Sequence, residues 1–379
     1  MQNFTITRIW GIPIRINASL IVFLPLLAWL IGSGGQIGIY AGLIGRFMGV
    51  NLDVVALRAG NLPWVIGILA AVGLFVSVTL HELGHSWVAL RYGLHIESIT
   101  LWILGGIAAL SEIPREWNRE FWIAIAGPIT SVLVAVVCWV GVLAIPRSFP
   151  VVQFVFGWLA IVNLTLTGFN LLPAFPMDGG RILRALLARS RPYANATRIA
   201  GRIGVIFALL FAVVGVLSFN VILILLAVFL YGAATTESRT VLVDELLDGI
   251  TVGDIMTREA PSISGDATVA EFGDRMMRDR RTVYPVTDES GEVVGVIGLG
   301  DLRRLRGADR ESTAVKSVMR QVPRFDPSED AFETLARLGQ LGASTALIEE
   351  DGAIVGVLSE SDYAHAFTIK KGFRSGVPV

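Results

Sequence analysis

The chain has 379 residues, of which 53% are hydrophobic and 17% charged, and its formal net charge is −1. That balance is too apolar for an average soluble protein, long enough for more than one domain, and lacks the basic excess that nucleic-acid binding needs. It therefore excludes nucleic acid as a partner and indicates a protein held in a lipid bilayer. The one cysteine, Cys138, lies in an apolar run, so no intrachain disulfide is available and Cys138 reads as a small core or lipid-facing hydrophobe.

Apolar stretches at 18–31, 62–80, 121–145, 151–172, 203–217 and 219–232 give six candidate spans, separated by Arg, Gly, Pro or Asn. The first is short for a span and follows Arg8 and Arg15 as a signal peptide would. The cleavage signal in Ile31-Gly32-Ser33-Gly34-Gly35 is weak, so a retained span is expected. Arginines decide the orientation. Arg8 and Arg15 precede span one; Arg91, Arg115 and Arg119 follow span two; Arg181, Arg184, Arg189, Arg191, Arg198 and Arg202 follow span four; Arg239 follows span six. The opposite loops hold Arg46, Arg58 and Arg147, so both termini are expected in the cytoplasm of a multi-pass membrane protein.

Span two runs into His81-Glu82-Leu83-Gly84-His85. Two imidazoles one helical turn apart share a helix face and can reach one cation, while Glu82 projects beside them toward a water. The chain has only four histidines, and an ionisable trio abutting an apolar span is costly unless it is paired or metal-bound. The pattern is that of a zinc hydrolase, with neutral imidazole ligands and Glu82 as general base. His95 lies ten residues past His85 with Gly93 between them, off that helix face, and reads as a surface histidine.

Residues 96–104 are rich in β-branched side chains and break at Gly105-Gly106 before Ile107–Leu110, which predicts a short hairpin or re-entrant loop at membrane depth. An edge strand there could hold an extended substrate by β-augmentation, with proline at Thr100 and Trp102 as the probe. Span four delivers Asn170 and the run Leu171-Leu172-Pro173-Ala174-Phe175-Pro176-Met177-Asp178-Gly179-Gly180 to the same boundary as the histidines. Asp178 is the carboxylate best placed to complete a site of two histidines and one aspartate. Its plainer role is to cap the helix that follows, and the two are compatible. Pro173 and Pro176 would keep the chain extended and off helix geometry. Asn170, on the last turn of span four, either bonds a neighbouring helix or orients substrate backbone.

His-Glu-Leu-Gly-His at a span's end, Ala126-Gly127-Pro128 on the next and Asn-Leu-Leu-Pro-Ala-Phe-Pro-Met-Asp-Gly-Gly after the fourth resemble the site-2 protease family of intramembrane zinc metalloproteases over about residues 1–235. The resemblance implies one Zn2+ per chain on His81, His85 and Asp178, with Glu82 as base. It also implies regulated intramembrane proteolysis of single-span substrates such as anti-sigma factors. Ile129-Thr130-Ser131 departs from the asparagine found there in many relatives; Ser131 could supply a weaker hydrogen bond, but the favoured reading is that Gly127, Thr130 and Ser131 let helices pack closely.

After Thr235 charges become frequent and a repeat begins. Val252-Gly253-Asp254-Ile255-Met256-Thr257 recurs as Val315-Lys316-Ser317-Val318-Met319-Arg320, and 295–301 recurs as 356–362. This resembles a tandem pair of cystathionine-β-synthase (CBS) domains. The fold expected is a polytopic α-helical membrane protein followed by a soluble α/β module. Its parts are a membrane metalloprotease domain at 1–235, a linker at 236–247, CBS domains at 248–308 and 309–369, and a tail at 370–379. The resemblance implies an adenosine nucleotide with ribose contacts at Ser359, Asp362 and Asp301, or dimerisation; both aspartates can instead cap helices. A CBS-gated transporter or channel is the competing reading. It would want ionisable groups near the midplane and repeated halves, and neither is seen.

Overall fold

A computed structural model describes residues 3–33, 35–103, 105–110, 116–258, 260–279, 281–302 and 310–375. Leu104 of the expected hairpin, Arg115 of the orientation count, the expected 308/309 junction and tail residues 376–379 lie outside the described residues. The chain divides into two compact units, Met1–Arg239 and Thr240–Val379.

The first unit opens with a hairpin that the sequence reading did not anticipate. Strands β1 (Asn3–Ile9) and β2 (Ile12–Asn17) pair antiparallel across Trp10 and Gly11, both at positive φ. Two left-handed residues suit the twist of a tight hairpin. Asn17 then caps α1 (Ala18–Gly32) by accepting from the Ser19 amide. Next come α2 (Gln36–Met48), α3 (Val54–Leu57), α4 (Leu62–Arg91), β3 (Ile96–Trp102) and β4 (Gly105–Leu110), and then α5 (Trp117–Ala144) and α6 (Pro150–Asn170). Then follow α7 (Asp178–Ala188), α8 (Tyr193–Leu217) and α9 (Val221–Leu247), the last continuing past Arg239.

Among the described residues, α4, α5, α6, α8 and α9 are long and apolar enough to cross a membrane, and α1 with α2, bent by 66°, make a sixth candidate. The protein is thus multi-pass. The apolar run of span two stops at Leu80, but α4 continues to Arg91, and its 30 residues extend about 45 Å. The helix persists because Ser77, His81 and His85 are buried on one face at four-residue spacing, so the polar segment packs inside the protein. Half of the apolar window of α6 is buried against 17% for α9, which puts α6 at the centre of the bundle. Around it Ile44, Ile66, Ala70, Phe154, Trp158 and Ala160 form the main core, with Cys138 among them, while Val65, Leu69, Leu133, Val137, Leu209 and Val213 face outward toward lipid.

The strands form one sheet in the order β1-β2-β3-β4, parallel between β2 and β3 and antiparallel elsewhere. The expected hairpin is therefore β3 and β4. Thr100 lies in an inner strand, paired with Arg15 on one side and Ile107 on the other. Proline there would break the sheet; among the described residues its edge strands are β1 and β4, and β4 is the one that passes Glu82. Between α6 and α7 the prolines keep the chain off helix geometry, yet it is coiled in turns and not extended, with Ala174 N bonded to Leu172 O at 2.7 Å and Met177 N to Ala174 O at 3.0 Å.

In the second unit, α10 (Val252–Ile255) and β5 (Thr257–Arg258) precede β6 (Ile263–Ser264), α11 (Val269–Asp279), β7 (Val283–Thr287), β8 (Val293–Gly298) and α12 (Leu299–Leu302). A second set follows: β9 (Arg324–Phe325), α13 (Ala331–Leu341), β10 (Thr345–Glu350), β11 (Ala353–Ser359) and α14 (Glu360–Ser375). Each set pairs its first strand parallel and its last antiparallel to the middle one. The leading segments are exchanged. β5 adds to β11, while Arg320 bonds to Val296 of β8 through both backbone groups at 2.8 and 3.0 Å. Each half thus completes the other's sheet, so the repeat folds as a pair and not as two beads.

Candidate metal centre

His81 and His85 reach from α4 toward α7, where Asp178 is the first helical residue. The cap position belongs to Met177, so the Asp178 carboxylate is left for the imidazoles and not for its own helix. Asp178 Oδ2 lies 3.2 Å from His81 Nε2, Oδ1 lies 3.3 Å from His85 Nε2, and the two Nε2 atoms are 3.1 Å apart. All three residues are buried.

Three observations bear on whether these residues fit a zinc ion. Ligands about 2.0–2.1 Å from a tetrahedral zinc are separated from one another by about 3.3 Å. The three separations here, 3.1 to 3.3 Å, have that size. The far nitrogens are also engaged: His85 Nδ1 donates to the Ile123 carbonyl at 2.6 Å, and His81 Nδ1 is 2.9 Å from Ser131 Oγ. With Nδ1 carrying the proton, each Nε2 presents a bare lone pair, the tautomer that metal ligation needs. Lastly, a Cβ added at Gly127 on α5 would lie 2.7 Å from His81 Nε2 and closer still to Nε2 and Cε1 of His85. The missing side chain leaves open the space between the imidazoles. The residues present fit the ion.

Glu82 is half-buried, and its Cγ, Cδ and Oε1 lie where a Cβ on Gly106 would stand. The first residues of β4 therefore run directly past Glu82 because residue 106 has no side chain. Asn170, at the end of α6, places its Nδ2 3.5 Å from His81 Nε2. One helical turn before His81, Ser77 accepts from Asn163 of α6 at 3.1 Å, a buried bond that ties the two helices next to the site. His95 is exposed and outside this cluster.

Ser131 and Gly127 do more than the close packing that the sequence reading favoured for them over a weaker hydrogen bond from Ser131. Ser131 orients an imidazole and Gly127 vacates the space the two imidazoles face. Replacing Ser131 by alanine is expected to weaken zinc retention by about 10–100-fold while the fold survives, as loss of an outer-shell partner does; competition with a chromogenic chelator measures it.

In the second unit, Asp362 Oδ2 accepts from the Ser359 amide at 2.8 Å and from its hydroxyl at 2.7 Å, and Oδ1 accepts from Thr257 Oγ1 at 2.8 Å. Asp301 accepts from the Gly298 amide at 2.9 Å and pairs with Arg320 at 2.9 Å. Both aspartates hold the start of the helix they belong to.

A membrane helix bundle presenting an HExxH helix to a buried aspartate defines a membrane metallopeptidase. The sequence profile of peptidase family M50 matches residues 69–149 and 147–211, and that of the CBS domain matches residues 252–307. Zinc metalloprotease MJ0392 of Methanocaldococcus jannaschii is 35% identical over 375 residues, 97% of each chain. Stage IV sporulation protein FB of Bacillus subtilis is 30% identical over 138 residues, 36% of this chain and 46% of that one. The solved site-2 protease from Methanocaldococcus jannaschii, 36% identical, covers 62% of this chain and 95% of its own, with a TM-score of 0.42. The chain belongs to the site-2 protease family of zinc metalloproteases, and the transporter reading is set aside.

Proposed function

We propose that His81, His85 and Asp178 hold one zinc ion per chain and that Glu82 is the general base for hydrolysis of a peptide bond in or near a transmembrane segment. The observation that carries this reading is the convergence of the three metal-facing groups to within 3.1–3.3 Å of one another. Bound zinc supplies Lewis acidity, lowering the pKa of a coordinated water to about 7 and polarising a carbonyl. Glu82 takes a proton from the attacking water and returns it to the leaving amine. The Ile123 carbonyl, which can only accept, keeps His85 in one tautomer, and Ser131 orients the His81 ring. Asn170 offers an amide to substrate backbone beside His81.

The substrate is a single-span membrane protein of the anti-sigma-factor type, met in extended form. A helical substrate keeps its carbonyls shielded, and β4, an edge strand among the described residues with Gly106 against Glu82, can take it as an added strand. Alanine at His81 or at Asp178 is expected to remove zinc and cleavage together, read by metal analysis of the purified protein and by cleavage of a single-span reporter in proteoliposomes. Stoichiometric zinc in the Asp178→Ala protein would end the three-ligand reading.

The domains follow as a membrane protease at 1–235, a linker at 236–247 that is the helical end of α9, CBS units at 248–308 and 309–369, and a tail at 370–379. The arginine distribution supports cytoplasmic termini, which reporter fusions at both ends would check. The CBS pair modulates the protease and can dimerise the chain. Ser359 and Asp362 would meet the ribose of an adenosine nucleotide, exchanging their helix-start bonds for ribose hydroxyls, and Asp301 alone would make a second, weaker site in the first repeat. Calorimetric titration with AMP and ATP is expected to show binding that Asp362→Ala removes; heats unchanged by that substitution would move the nucleotide elsewhere.

A further inference from the structure

Arg184 lies six residues after Asp178 on α7 and is 2% exposed. Its Nε and Nη2 donate to Glu120 Oε1 at 2.7 and 2.5 Å, and its Nη1 donates to Glu237 Oε1 at 2.7 Å. The guanidinium also stands 4.9 Å from the ring centroids of Phe175, in the loop before α7, and Tyr193, at the start of α8. Glu120 is itself buried and sits on α5 one turn before Ile123, whose carbonyl takes the proton-bearing nitrogen of His85. The same helix carries Gly127 and Ser131. One guanidinium thus fastens the helix that presents Asp178 to the helix that holds both imidazoles from behind.

Stability is a poor reason for such a network. Removing each charge from water costs several kcal/mol, and well-packed apolar residues of similar volume often serve as well or better. The guanidinium provides geometry: two of its nitrogens converge on Glu120 Oε1 and the third reaches Glu237 Oε1, so the helices joined through it have one register. Register matters here, because a displacement of α7 by about 1 Å is enough to spoil a constellation held at ligand distances.

We propose that Arg184, held by Glu120 and Glu237, is a positioning residue that sets α7 against α5 so that Asp178 meets His81 and His85 in metal-binding geometry. The proposal rests on the reading of Asp178 as the third ligand. It is tested on the full chain in detergent with the double variant Glu120→Gln/Arg184→Met, which leaves no buried unpaired charge at those two positions, with Arg184→Lys, and with Asp178→Ala as reference. Zn2+ affinity is read by chelator competition and ligand geometry by the visible absorption of the Co2+-substituted protein.

The double variant is expected to keep its helical circular dichroism, to hold Zn2+ at least about ten-fold more weakly and to show an altered Co2+ band, with Arg184→Lys in between. A folded double variant with the parent's Zn2+ affinity and Co2+ spectrum overturns the proposal; if the double variant does not fold, the same result in Arg184→Lys overturns it. If Asp178→Ala binds Zn2+ like the parent, the ligand reading has failed and not the clamp alone.

Discussion

Glutamine at position 82 is expected to leave one zinc per chain and to lower peptide cleavage by about 10³-fold, the middle of the range for loss of a positioned general base. The substitution is isosteric, so the packing of Cγ and Cδ against Gly106 is kept and β4 has no reason to move. The metal-facing atoms of His81, His85 and Asp178 are untouched, and their separations do not depend on Glu82. What disappears is the group that accepts a proton from the attacking water and hands it to the amine. Zinc content by metal analysis and turnover of a single-span reporter in proteoliposomes separate the two roles. Full proteolysis by Glu82→Gln would remove Glu82 from the chemistry; loss of zinc would make it a ligand or a fold determinant. Because binding is spared, an uncleaved single-span protein retained by this variant and absent from the active enzyme would identify the substrate.

The site was legible in the sequence wherever its signal was local. Two histidines four apart on an apolar helix share a face by helix periodicity alone, and Asp178 follows from the direction of the span that delivers it. Gly127 was not legible as a site residue and Ser131 only as a weaker stand-in for an asparagine, since nothing in Ala126-Gly127-Pro128-Ile129-Thr130-Ser131 says that this turn of α5 faces an imidazole fifty residues earlier. The β1–β2 hairpin could have been read. Ile12, Ile14 and Ile16 alternate with Pro13 and Arg15 at the period of a strand, and Trp10-Gly11 marks the turn, yet Arg8 and Arg15 drew attention as charges flanking a span. Helix α2 escaped because Gly38, Gly42 and Gly45 depress helix propensity, and packing around Ile37, Ala41 and Ile44 overrides it. In the second unit the internal repeat marked both CBS halves, but a repeat cannot say that its leading segments cross over to the partner sheet.

Alanine at Gly127 is expected to abolish stoichiometric zinc binding and to cost the folded protein about 0–2 kcal/mol, the steric cost at the imidazoles less the gain in helix propensity. In a helix interior alanine is favoured over glycine by about 1 kcal/mol, which offsets part of that cost. The new methyl, however, would stand 2.7 Å from His81 Nε2 and nearer still to His85 Nε2, in the space where a cation about 2.0–2.1 Å from both nitrogens has to sit. The imidazoles have little freedom to retreat, because Ser131 and the Ile123 carbonyl hold their other nitrogens at 2.9 and 2.6 Å. Swinging either ring away would cost a buried hydrogen bond, about 1–3 kcal/mol, and would point the lone pair off the site. Metal analysis alongside thermal unfolding followed by circular dichroism reads both effects on one preparation. Zinc loss in a variant that still unfolds cooperatively identifies residue 127 as the cradle of the metal and not a helix-packing glycine, whereas a zinc-replete alanine variant would mean that α5 shifts to accommodate the methyl and that the cradle is set by α4 and α7 alone.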